Sequence, residues 1–360
     1  MRKRRWVKPA LGGVRPVLPV RFPFLLQGFI PVCCAIKARP EDFVVEEDLG
    51  YEPCGEGPHL FLWIEKRGLS MEDMVTQIRT VTGASQASVG YAGLKDRRAV
   101  TRQWISLPAE YLDRVRDLDR PWLRVLEVRR HRLPLRTGQL RGNRFRILLR
   151  SASFKAVPRI REAMESLAQR GMANIYGPQR FGRDYEAARV GMDVVLGRMD
   201  VAGMSRLKRR FVVSAVQAHL FNCYCQARNE RGGLSAVRAG DILRHAESGE
   251  LVRSQRDGDR QDAVDSGVAS VTGPVYGRGL LRATGLPGDL EQEVLNGSGL
   301  GFHSFDLFQS LGGGARRALV VRPRNVSVAP ATDGVLLDFY LPSGAFATSL
   351  LREIIGRDVK

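Results

Sequence analysis

The 360-residue chain has no P-loop and no G-x-G-x-x-G behind a strand, so nothing in it points to nucleotide-cofactor chemistry. Gly297, Gly299 and Gly301 have the wrong spacing for such a motif and fall in a loop. No G-x-S-x-G elbow is present. Cysteine is scarce and odd in number: Cys33, Cys34, Cys54, Cys223 and Cys225 form no C-x-x-C pair. The five histidines make no H-E-x-x-H and no cluster of zinc spacing. These absences argue against a disulfide framework and a structural zinc, and a cytoplasmic, reducing location is expected. The apolar stretch 22–36 follows the basic run Arg2 to Arg5 but holds Pro23, Gln27 and Pro31 and no small-x-small site, so a secretory leader is not expected. No other stretch approaches the roughly 20 apolar residues of a membrane span. Acid is also short: 38 Asp and Glu face 56 Lys and Arg, a net charge of +18.

Such a field attracts polyanions, nucleic acid first and an anionic membrane second. A solvated, arginine-rich surface set by genome composition reads the same way in composition alone. Half of the excess sits in residues 1–40, which hold nine Lys and Arg and no acid. Residues 1–36 therefore read as a basic N-terminal extension, either an RNA-binding arm or a tail from a misplaced start. The 44% hydrophobic content can bury a real core, and the length suits two domains.

Periodicity predicts strands at 43–45, 59–65, 103–107, 122–129 and 143–150, with a helix capped by Ser70 that carries Met74, Val75, Ile78 and Val81 and ends at Gly83. Strands alternating with amphipathic helices to about residue 170 suggest an α+β domain. The texture then changes: helices are predicted at 184–196 and 207–229, and the polar, Gly-rich stretch 248–270 reads as loop. Residues 335–341 return to a strand, followed by a turn at Pro342-Ser343-Gly344 and a helix from Ser349. That strand needs a sheet to join, which makes the middle segment a candidate insertion.

One carboxylate stands out. Asp96 follows Lys95 and precedes Arg97 and Arg98, with Arg102 nearby. Opposite charges close by favour the ionised form, and an ionised Asp can attack a sugar carbon. Taken alone, the run reads first as a solvated turn. A second constellation runs from Arg129 to Arg150, with eight Arg and no acid. Within it Asn143-Arg144-Phe145-Arg146-Ile147 alternates as a strand, arginines on one face and apolar groups on the other, either a base-stacking, phosphate-tracking surface or an amphipathic core strand. The loop Asn174 to Gly182, with Arg180, is a substrate loop or a hinge. Phe346, just before a capped helix, reads by itself as core.

Together these blocks resemble the TruD family of pseudouridine synthases, which modify position 13 of tRNA. Lys37-Ala38-Arg39-Pro40-Glu41-Asp42-Phe43 is similar to the family's N-terminal motif and Gly93-Leu94-Lys95-Asp96 to its catalytic motif. Leu135-Arg136-Thr137-Gly138 through Phe145, Asn174 to Gly182, Ser214 to Asn222, Thr272-Gly273-Pro274, Arg316-Arg317-Ala318 and Leu341 to Ser349 follow in family order. The resemblance implies an α+β pseudouridine synthase catalytic domain with a mixed, mostly antiparallel sheet, at 37–171 plus 322–360, interrupted by an inserted TruD-specific α+β domain at 172–321. The cleft between the two is then the expected catalytic site. The resemblance further implies Asp96 as nucleophile, and Lys37, Phe43, Asn143, Phe145 and Phe346 around a flipped uridine, the Phe43 and Phe346 rings bounding the base plane. Arg97, Arg136, Arg144, Arg146 and Arg180 are expected to contact RNA. No metal and no cofactor is implied, because isomerisation gains and loses no atoms. The expected partner is tRNA, with no membrane, no obligate protein partner and a monomeric state. A pseudouridine synthase acting on another RNA, or a non-catalytic RNA-binding protein, stays open on the sequence.

Overall fold

The computed structural model describes residues 17, 19–20, 22–308 and 312–359. Most of the basic stretch 1–21 lies outside them. The chain divides into two units, Leu26–Gly171 with Arg322–Arg357, and Met172–Val321 with the described residues of 1–25 and 358–360.

The first unit opens with β1 (Phe43–Asp48), β2 (His59–Arg67), α1 (Met71–Thr82), β3 (Gly90–Tyr91), β4 (Val100–Pro108), the short α2 (Leu112–Val115), β5 (Leu123–His131), β6 (Gly142–Arg150) and α3 (Val157–Arg170). Helix α1 forms where the sequence predicts it. The Ser70 hydroxyl accepts the Asp73 N–H, Met74 and Ile78 are buried, and Gly83 ends the helix at φ 79°. The second unit follows with β7 (Met172–Ala173), α4 (Glu186–Val195), α5 (Arg206–Glu230), β8 (Ile242–His245), β9 (Leu251–Arg253), α6 (Gln261–Asp265), β10 (Ala269–Val275), α7 (Gly285–Gly297), β11 (Ala315–Ala318) and β12 (Val320–Val321). The stretch 248–270, expected as loop, thus carries β9, α6 and the start of β10. These pieces are too short to show a period, and β9 is specified by its hairpin with β8. The chain ends with β13 (Arg324–Ala331), β14 (Gly334–Pro342) and α8 (Ala347–Ile355), the last starting two residues before the expected Ser349.

The first unit's sheet runs β13-β14-β6-β1-β4-β2-β5, with β3 added beside β4. Only β1 and β4 pair in parallel; every other neighbour is antiparallel. The C-terminal strand joins this sheet through β6, Phe339 opposite Phe145 and Leu341 opposite Asn143. Strand β2 is buried on both faces. Leu60, Leu62 and Ile64 pack under α1 with Ile105 and Leu107, while Phe61 faces Leu49, Ala92, Trp104 and Leu135. Each buried leucine, isoleucine or phenylalanine among them contributes about 1.5–3 kcal/mol by leaving water. Residues 26–36 are built into this unit: Ala35 bridges Arg150 and the Val32 N–H donates to Ile354.

The second unit has the four-stranded sheet β11-β10-β8-β9 and the pair β12-β7. Its core gathers Phe221, Tyr224 and Cys225 of α5 with Leu243, Val271 and Leu319, and Phe22 packs into it. Among the described residues no helix is long and apolar enough to cross a membrane.

Candidate active site

The segment before β1 is shaped to present one ammonium group. Lys37 sits in the left-handed region at φ 53°, and Pro40–Asp42 make a single helical turn. Asp42, buried, accepts two hydrogen bonds from the Arg150 guanidinium of β6, at 2.6 and 3.1 Å, and one from the Arg39 N–H. That guanidinium holds the Asp42 carboxyl below the usual carboxylate range. The clamp ties the turn to the sheet and leaves the Lys37 ammonium 4.2 Å from the Phe43 ring centroid, over its face. Phe43 is 1% exposed, meets Phe145 edge-on, and Phe145 stacks on Phe339.

The Lys37 ammonium lies 2.8 Å from a carboxylate oxygen of Asp96. The two ends of that pair differ: the lysine side chain is 8% exposed and the aspartate 42%. Asp96 belongs to the loop between β3 and β4, and two cations near it in the chain, Lys95 and Arg102, spend their charges elsewhere. Lys95 binds the buried Glu47 of β1 at 2.5 Å, and Arg102 binds Glu46 and Glu65. The Glu47 carboxyl also accepts the Trp104 N–H, and its burial raises its pKa against the pull of Lys95. The loop's main chain is held from below by Lys66 of β2, which donates to the carbonyls of Asp96 and Leu69, both at 2.8 Å.

Register carries the arrangement across the sheet. Glu47 lies opposite Asn143 of β6, and Asn143 opposite Leu341 of β14, so the row that anchors Lys95 leads to the turn before α8. Phe346 caps that helix and is 36% exposed. The Asn143 Oδ1 is buried and has no hydrogen-bond partner among the described residues. The site is thus an accessible carboxylate held by a buried cation, at one end of a sheet that also offers an amide and an aromatic ring.

The family model for tRNA pseudouridine synthase D (TruD) matches residues 24–207 and 201–354. The chain belongs to the TruD family. A tRNA pseudouridine synthase D of Anaeromyxobacter dehalogenans is 37% identical over 91% of this chain and 94% of its own length. One from Thermus thermophilus is 38% identical over 94% and 93%. A solved structure from Methanosarcina mazei, described as a tRNA pseudouridine synthase D, superposes with a TM-score of 0.69 at 22% identity, covering 92% of this chain and 95% of that one, and supports the same α+β fold.

In this TruD-family chain the expected site residues fall into three groups. Lys37, Phe43, Phe145 and Asp96 form one contact chain, Asn143 stands in the strand next to β1, and Phe346 lies past the end of β14 at the start of α8. Phe43, expected to bound a base, is a buried support for Lys37; of the two expected flanking rings, Phe346 is the one with surface to offer. Arg97 and Arg136 are exposed near the loop and strand ends, while Arg144 and Arg146 project from β6 and both pair with Asp338 of β14. Arg180 lies in the second unit, where burial lowers its pKa and its guanidinium is 6.0 Å from the Tyr176 ring. Sequence reasoning missed Lys66, Glu47 and the Asp42–Arg150 clamp. A lysine closing an apolar strand was the one available signal for Lys66. Among the described residues no three His, Cys, Asp or Glu side chains are grouped to hold a metal ion.

Proposed function

We propose that this chain is a tRNA pseudouridine synthase that isomerises uridine 13 of tRNA, with Asp96 as its nucleophile. The observation that carries the reading is the Lys37–Asp96 pair, in which the carboxylate keeps access to a ligand while its counter-ion is buried behind it. The ionised carboxylate is the form that attacks, and the lysine ammonium is its partner.

The target uridine must leave its stack, which costs a few kcal/mol. Phe346 offers a ring against which the extruded base can stack, and the Asn143 amide is the hydrogen-bonding group that orients it. Asp96 then acts at the ribose C1′, directly or through a base-assisted glycal. The N1–C1′ bond breaks, uracil turns, and a C5–C1′ bond forms. C5 loses its proton and N1 gains one, so atoms balance without a cofactor. The first unit is the catalytic domain in this reading and 172–321 the inserted domain. Arg97, Arg136, Arg144, Arg146 and Arg180 hold phosphates, and the enzyme works on tRNA in the cytoplasm.

Incubating the purified chain with unmodified tRNA transcripts and mapping pseudouridine at each position tests this reading. Product confined to position 13 is expected. Product only at other positions, or in other RNAs, contradicts it.

A further inference from the structure

Lys66 is the most unusual charge in the first unit. It is fully buried at 0% exposure, and lysine is almost never so buried unless it is paired. Among the described residues no carboxylate lies in salt-bridge range; its ammonium instead donates to two carbonyl oxygens, those of Leu69 and Asp96. Apolar neighbours surround the strand that carries it. Leu62 and Ile64 pack under α1, and Leu123 of β5 and Thr101 of β4 lie opposite Lys66 itself. An isostere such as methionine would suit that environment better, because taking an ammonium out of water costs several kcal/mol. The charge is therefore retained against the local preference of the core, and the group it touches is the main chain of the proposed nucleophile.

We propose that Lys66 is a positioning residue for the proposed reaction: protonated, it fixes the Asp96 carbonyl and with it the loop that aims the Asp96 carboxylate. The inference rests on the reading of Asp96 given above. Three cations then act on one loop by different routes. Lys37 pairs with the carboxylate, Lys95 ties the preceding side chain to Glu47, and Lys66 holds the backbone. Charge-assisted hydrogen bonds are roughly twice as strong as neutral ones, so the clamp weakens when Lys66 loses its proton. Burial lowers the Lys66 pKa to about 8; Asp96 opposes the shift and Lys95 adds to it. Thr101, facing it from β4, and Leu123, facing it from β5, carry no charge. Activity that needs the protonated form is present below that value and declines as pH rises through it.

The test uses a tRNA transcript with uridine at position 13, enzyme in excess, and single-turnover rates from pH 6.5 to 9.5. Wild type, Lys66→Met and Asp96→Asn are compared, with tRNA affinity measured at each pH. The wild-type rate is expected to fall above about pH 8. Lys66→Met should bind tRNA within twofold of wild type, react about 10- to 100-fold more slowly, as misplacement of a reacting group by about an ångström does, and show no fall near pH 8. A Lys66→Met rate within twofold of wild type, or a wild-type rate flat to pH 9.5, overturns the inference. Should Lys66→Met fail to fold, the wild-type profile decides alone. Product from Asp96→Asn overturns the reading of Asp96 instead, and loss of product there with a wild-type-like Lys66→Met overturns only the role of Lys66.

Discussion

At the scale of single residues, the site is built from charges taken out of water in pairs. Asp42 is the clearest case. Arg150 forks onto it with two hydrogen bonds, and the turn that carries Lys37 hangs on that contact. Replacing Asp42 with Asn keeps the size and removes the charge. Unfolding in urea should show a loss of roughly 1.5–3 kcal/mol, the range for hydrogen bonds to charged groups. The sign with pH follows from the lowered pKa of Asp42. Its contribution is complete above the unfolded carboxyl value of about 4 and fades as pH falls through the folded value. The gap between wild type and Asp42→Asn should therefore close in acid; a gap that stays constant down to pH 2 contradicts the clamp. At this scale the motifs singled out Lys37 and Asp96, which the fold brings into one ion pair. The sequence was not legible for partners. Lys95 and Arg102, near Asp96 in the chain, serve Glu47, Glu46 and Glu65, and its own counter-ion comes from 59 residues away. Pairing of that kind is set by strand order, which no local spacing encodes.

At the scale of elements, two strands decide how the site is presented. β3 is only two residues long, yet it fixes where the Asp96 loop begins. Gly90 lies opposite Ser106, and a Cβ there would come within 2.3 Å of the Ser106 hydroxyl and 2.4 Å of the Leu135 carbonyl. Gly90→Ala should push β3 from β4, cost about 1–3 kcal/mol as an overpacked site does, and slow product formation. An alanine variant of wild-type stability and rate would show that the loop does not depend on that approach. Strand β6 alternates as the sequence predicts, with Phe145 and Ile147 inside and Arg144 and Arg146 outside. What alternation did not reveal is Asp338 of β14, opposite Arg146 in register and paired to both arginines. In the proposed function the carboxylate competes with RNA phosphate. Arg144→Ala should weaken tRNA binding and flatten its salt dependence, while Asp338→Asn should tighten binding and steepen it. Equal affinities across the three proteins would return these arginines to an ordinary solvated face.

At the scale of the whole molecule, composition and block order reached furthest. A charge of +18 pointed to a polyanion, and the ordered motifs pointed to the TruD family, whose model matches 24–207 and 201–354. The return of β14 to the first sheet was foreseeable because an alternating strand at the chain's end needs neighbours. The pieces at 251–253 and 261–265 were not, since a three-residue strand and a five-residue helix leave no periodicity to read. The proposed function requires one carboxylate to do chemistry on a bound tRNA. The direct measurement is pseudouridine at position 13 after incubation with wild type and with Asp96→Asn, alongside tRNA affinity for each. Stoichiometric product from wild type, none from Asp96→Asn, and affinities within a few-fold of each other are the predicted result. Substantial product from Asp96→Asn would contradict it.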